Sequence, residues 1–123
     1  MCGLAGYWGF GGLRSNDLIN VVSKMCMAIE HRGPDDTGFW HEKSLGLVFG
    51  HKRLAIQDLS SAGHQPMVSY SQRFVIIFNG EIYNHLELRS ELLKQVNLKS
   101  SQSPVWKGFS DTETLLTAFE YWG

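Results

Sequence analysis

A chain of 123 residues, 43% of them hydrophobic and 19% charged, carries enough apolar material to bury a core and too little charge to remain a disordered coil. A formal net charge of −1 and a pI near 6.5 leave no basic surface for nucleic acid or anionic lipid, so neither partner is expected. No run approaches the roughly 18 apolar residues of a membrane span, and the N-terminus lacks the basic and hydrophobic regions of a secretory signal; a cytoplasmic protein whose two cysteines, Cys2 and Cys26, stay as free thiols is the expectation.

In chain order, CGLAGYW (2–8) reads as a short strand, ended by glycines at 9, 11 and 12 whose spacing matches neither common phosphate-loop pattern. Residues 16–30 have helical periodicity, with Leu18, Val22, Met25 and Ile29 on one face and Cys26 beside them as a core thiol. HRGPDDTG (31–38) is a polar turn that Pro34 keeps from continuing the helix. Strands are expected at 38–42 and 46–51. The segment HKRLAIQDLSSAGHQPM that follows is too polar for a core. FVIIFN (74–79), an expected strand, begins with an unbroken apolar run, the mark of a strand covered on both faces, which stops at Asn79-Gly80. Asn84 and Glu87 have capping-box spacing ahead of a helix striped by Leu88, Leu92 and Val96. After a polar loop (97–108), Ser110 and Glu113 repeat that spacing before a last helix with Leu115, Phe119 and Trp122 on one face.

Four features carry chemistry, each with a plainer alternative. Removal of Met1 would leave Cys2 with both a thiol and a free α-amine, the amine titrating near ~7.7–8.0 and the thiol near ~8.5, so the amine can serve as base for the thiol; an ordinary buried cysteine is the alternative. Asn79 and Gly80 offer an amide side chain and a backbone N–H side by side, an oxyanion hole or else a hairpin turn. Arg53 can grip a carboxylate with two hydrogen bonds, or form a surface ion pair. Asp111, in the first turn of a helix, can receive an ammonium, or simply cap. Together they describe a pocket for an amino acid zwitterion.

MCGLAGYWG, HRGPDDTG, GHKRLAIQDLSSAGHQPM, FNGEIYNHLELRSEL and SDTETLLTAFEYWG, in this order, resemble the glutaminase domain of asparagine synthetases and related class II glutamine amidotransferases. The resemblance covers nearly the whole chain. It implies an α+β fold of the N-terminal nucleophile hydrolase type, an αββα sandwich, incomplete at its C-terminus here, so that 1–123 is one partial domain. It also implies that Cys2 is the nucleophile and Asn79 with Gly80 the oxyanion hole. Arg53 would then take the α-carboxylate of L-glutamine, Leu54 to Ile56 would line the pocket, and Glu81 with Asp111 would hold the α-ammonium. His31 and Arg32 belong to a motif expected to organise a loop over the site. Gln57 stands where the family usually has an aliphatic residue.

Family domains continue beyond EYWG with further strands and an ATP-dependent synthetase domain. The chain is therefore expected to be the N-terminal part of a longer enzyme, with no cofactor of its own, ATP and magnesium belonging to that other domain, and with an exposed sheet surface prone to homo-oligomerise. The five histidines have no metal-ligand spacing, so no metal is expected. Competing readings are another amidase of this fold, an amidotransferase of surface-polysaccharide synthesis, and an inactive partner-binding fragment.

Overall fold

The computed structural model describes residues 1–9, 15–56, 58–98 and 104–123, the side chains of 15, 16 and 96–98 excepted; Gln57, Val96 as a stripe residue, and the glycines at 11 and 12 lie outside what is described. The chain divides into two units, Met1–Ile56 with His64–Pro66 and Ile77–Asn79, and Gln57–Gly63 with Met67–Ile76 and Gly80–Gly123. Both combine antiparallel sheet with helix, an α+β composition.

In the first unit, β1 (Gly3–Trp8), β2 (Asp36–Glu42) and β3 (Leu47–Arg53) form an antiparallel sheet in the order β1-β3-β2. The hairpin between β2 and β3 turns at Gly46, whose φ of +61° suits glycine and whose carbonyl accepts from Gly9 N–H at 2.9 Å. Both strands run further than expected at the far end, because Asp36 pairs with Arg53 and Thr37 with Lys52 in register. The expected end at His51 thus moves to Arg53, which places that arginine within the ladder.

Helix α1 (Ser15–Ala28) covers one face of this sheet. The core is Leu18, Val22, Cys26 and Val48, with Ala5, Tyr7 and Ile19 packed around it. Met25, expected on the buried stripe, is 41% exposed, and Cys26 takes its place. The cause is Gly50 on β3. A Cβ there would lie 2.5 Å from Cys26 Sγ and 2.8 Å from Val22 Cγ1, so the missing side chain lets the 18-22-26 ridge settle directly on the strand. The helix ends two residues before the expected 30, and a 3₁₀ turn, Glu30–Arg32, carries the chain to Gly33 and Pro34.

The second unit contains the two-stranded pair β4 (Met67–Val68) and β5 (Val75–Ile76), with helices α2 (His85–Leu98) and α3 (Asp111–Trp122). Strand β4 was not expected, and the strand expected over 74–79 shrinks to two half-buried residues. The register explains the shortening. Two steps beyond Met67↔Ile76, Gln65 would face Phe78; there Gln65 offers Phe78 N–H its side-chain Oε1 at 2.6 Å, while its backbone carbonyl is turned against Gly38.

On α2, Leu92 is fully buried and Asn84 occupies the N-cap position, its carbonyl accepting from Leu88 N–H. On α3, Ser110 Oγ accepts from Glu113 N–H at 3.2 Å, half of the expected box. The Glu113 carboxylate reaches further back, to Lys107 N–H at 2.7 Å and Gly108 N–H at 3.1 Å. The expected apolar face is also displaced. Phe119 is 54% and Trp122 43% exposed, while residues 110–114, Leu116 and Ala118 are buried. The first turn of α3 is buried through polar groups that are hydrogen-bonded, so a search for apolar residues finds the wrong side. Among the described residues no helix is long and apolar enough to cross a membrane.

Candidate active site

Strand register places the candidate residues of the first unit. Gly3 pairs with Lys52 at the end of β1, and Cys2, the residue before it, lies beside the segment that leaves β3. Cys2 Sγ lies 3.4 Å from Leu54 N–H and 3.7 Å from Leu54 O. It is half-buried, its carbonyl accepts from Arg32 Nε at 3.1 Å, and Arg53 is buried. Leu54 is half-buried and Ile56 exposed.

The HRGPDD segment ties these parts together. Arg32 holds Cys2, Asp35 N–H donates to Arg53 O at 3.0 Å, and Asp35 Oδ2 accepts from Ala55 N–H at 2.8 Å. Gly33 lies so close to Lys52 that a Cβ would overlap its carbonyl oxygen. These contacts fix backbone on either side of the thiol and the guanidinium. His31 is exposed.

Asn79 ends the 77–79 segment of the same unit and is exposed. The hairpin alternative is not formed: a type I′ turn needs positive φ at both central residues, and neither Asn79 nor Gly80 has it. The chain continues instead through a turn at 83–84 into α2.

In the second unit, Gly80 and Glu81 are exposed and Asp111 is buried. Asp111 Oδ2 accepts from Ile82 N–H at 2.9 Å and Oδ1 from Thr112 N–H at 2.8 Å. Capping is therefore part of what Asp111 does. The same contact brings its carboxylate to the segment that carries Glu81.

The glutamine amidotransferase domain family matches this chain over residues 1–123. The chain belongs to that family. Among the curated relatives of this amidotransferase domain, one from Mycobacterium tuberculosis strain H37Rv, named for a glutamine-hydrolysing asparagine synthetase, is 36% identical over 134 residues, covering all of this chain and 20% of the relative. Asparagine synthetase [glutamine-hydrolyzing] 1 of Bacillus subtilis strain 168 is 37% identical over 99% of this chain and 18% of its own length. Asparagine synthetase [glutamine-hydrolyzing] of Triphysaria versicolor is 38% identical over 75% of this chain and 15% of its own. The amidotransferase domain thus spans about a fifth or less of the length of these relatives.

Among the buried polar residues given no role from the sequence are His51 and Gln65 of the first unit. His51 has no exposed surface and Gln65 is 6% exposed. Burial pushes the His51 pKa below the usual histidine range, so the ring is neutral at neutral pH. The signal was present in GHKRL and GHQPM, segments too polar for a core that are nonetheless buried at these positions.

Proposed function

We propose that this amidotransferase domain is the glutamine-hydrolysing part of an asparagine synthetase-like enzyme, with Cys2 as nucleophile. The observation that carries the reading is the place of the Cys2 thiol: half-buried, 3.4 Å from the N–H of Leu54, the residue after the buried Arg53, and anchored through its own carbonyl by Arg32. A merely structural cysteine is better illustrated by Cys26, which is 2% exposed in the apolar core.

In the proposed reaction, the α-amine freed by loss of Met1 takes the thiol proton as sulfur adds to the side-chain amide carbon of glutamine. The carbonyl oxygen becomes an oxyanion, stabilised by the Asn79 amide and Gly80 N–H. The amine passes its proton to the departing nitrogen, and ammonia leaves as the thioester forms. Water then adds to the thioester carbon, releasing glutamate and restoring the thiol. Arg53 receives the α-carboxylate, Glu81 and Asp111 the α-ammonium, and Leu54 to Ile56 line the pocket. In the longer enzyme the ammonia would amidate aspartate, a step that ATP and magnesium would support outside this domain. We assign the fold to the αββα class of N-terminal nucleophile hydrolases; two antiparallel sheets, with helices in each unit, support the assignment.

The test uses the full-length enzyme that carries this domain. Cys2→Ala and a form with Met1 retained should both reduce glutamine-dependent ammonia release to background, with intact mass reporting the N-terminus. The first removes the nucleophile, and the second turns its amine into a non-basic amide. Full activity with Met1 attached would refute the mechanism.

A further inference from the structure

The backbone of Phe78, the residue before Asn79, is held from both sides within the first unit. Its N–H donates to Gln65 Oε1 at 2.6 Å, and its carbonyl lies 3.3 Å from His51 Nε2. A carbonyl can only accept, so Nε2 carries the ring proton of neutral His51. The other nitrogen, Nδ1, is buried without a hydrogen-bond partner in the described structure. Burying such groups costs free energy that an apolar side chain of similar size would avoid. What these two residues supply is direction.

Together they fix the peptide planes on either side of the Phe78 Cα, and the second of those planes ends at Asn79 N. The 77–79 segment belongs to no strand, so these contacts take the place of a ladder. Gln65 can reach Phe78 because its own backbone is turned against Gly38, where a Cβ would overlap its carbonyl oxygen and would also lie 2.7 Å from the His64 ring. His64 Nδ1 is in turn paired with Asp36 Oδ2 at 2.6 Å.

We propose that His51 and Gln65 are positioning residues for the reaction: they clamp Phe78 so that Asn79 presents its amide in one direction. This rests on the assignment of Asn79 to the oxyanion hole. A displacement of about 1 Å at such a site costs up to about 10² in rate, and loss of a donor about 10²–10³.

His51→Leu and Gln65→Met, made in the full-length enzyme, should therefore each lower kcat for glutamine hydrolysis by about 10- to 100-fold, less than Asn79→Ala, with KM changed by no more than about twofold. His51→Gln, which keeps an N–H donor at similar reach, should recover most of the loss. The second readout is alkylation by iodoacetamide, which needs the Cys2 thiol but no oxyanion hole. Cys2 should be alkylated at the parent rate in both variants, while buried Cys26 stays unmodified and reports an intact core. Unchanged kcat in both variants, with Asn79→Ala slow, overturns the proposal and leaves the oxyanion hole standing. Unchanged kcat in Asn79→Ala overturns the underlying assignment and the proposal with it. Loss of Cys2 alkylation in parallel with kcat, or alkylation of Cys26 in both variants, would make the two residues structural only and also overturns it. Should one variant alone open Cys26, the other decides.

Discussion

His51 faces Leu4 and Gly38 across the sheet, and burial is the main reason its pKa falls below 6.5; Arg53 and His64 push it the same way, while the Phe78 carbonyl and Asp36 pull it back. The unfolded chain therefore binds a proton on this ring at a higher pH than the folded one. Stability from the neutral ring is complete above about pH 6.5 and is lost as pH falls from there towards the lower folded value. In urea titrations, the stability of the parent relative to His51→Gln should decline across that window, and a constant difference would show that His51 does not titrate this way. Arg53 and Asn79 should separate binding from chemistry. On the proposed roles, Arg53→Ala should chiefly raise KM for glutamine, whereas Asn79→Ala should lower kcat by about 10²–10³ with KM little changed. Steady-state kinetics of both variants make the check, and an effect of Asn79→Ala on KM alone would remove it from the oxyanion hole.

At the scale of elements, the seating of α1 on β3 depends on a side chain that is absent. Gly50→Ala would press a methyl against Cys26 and Val22 and should cost about 1–3 kcal/mol, and Cys26→Ala should return part of it by vacating the space; chemical unfolding of the single and double variants measures the coupling. In the second unit the element that carries Asp111 is held by Arg89 of α2. This buried guanidinium donates to Thr114 Oγ1 at 2.7 Å, Gly108 O at 2.8 Å, Ser110 O at 3.0 Å and Glu113 Oε2 at 3.2 Å, and lies 4.0 Å from the Trp106 ring centre. Removing one member of such a buried pair leaves the other uncompensated. Arg89→Met should destabilise by about 3–5 kcal/mol, read as a lower urea midpoint. A loss under about 1 kcal/mol would mean that the network contributes no more than a surface pair.

For the molecule as a whole, the face of the three-stranded sheet away from α1, covered at His51 but exposed along β1, is where self-association is expected. Leu4 and Trp8, 42% and 57% exposed, share that face with the stacked Trp40 and Phe49 rings, and among the described residues β1 and β2 each pair on one side only. The 1–123 chain alone should self-associate as its concentration rises, with a second copy on this face, and Leu4→Lys with Trp8→Lys should shift sedimentation towards the monomer. Association unchanged by those substitutions would place the contact elsewhere. Much of this protein was legible in one dimension: β1, α1, the β2–β3 hairpin, α2 and α3 all announce themselves through period, glycine and cap, because those preferences are set by neighbours a few residues apart. Cys2, Arg53, Asn79 and Asp111 could be named as candidates for the same reason, each standing in a short motif with its own chemistry. Only the tertiary structure decided that Arg53 joins the β3 ladder, that the apolar run before Asn79 yields a two-residue strand, and that α3 buries its polar first turn. It also brought His51 and Gln65 to the Phe78 peptide, 27 and 13 residues away along the chain. A local pattern says whether a side chain is polar; which peptide group it will hold once buried depends on register, close approach at glycines and the satisfaction of every buried donor, and those are properties of the folded whole.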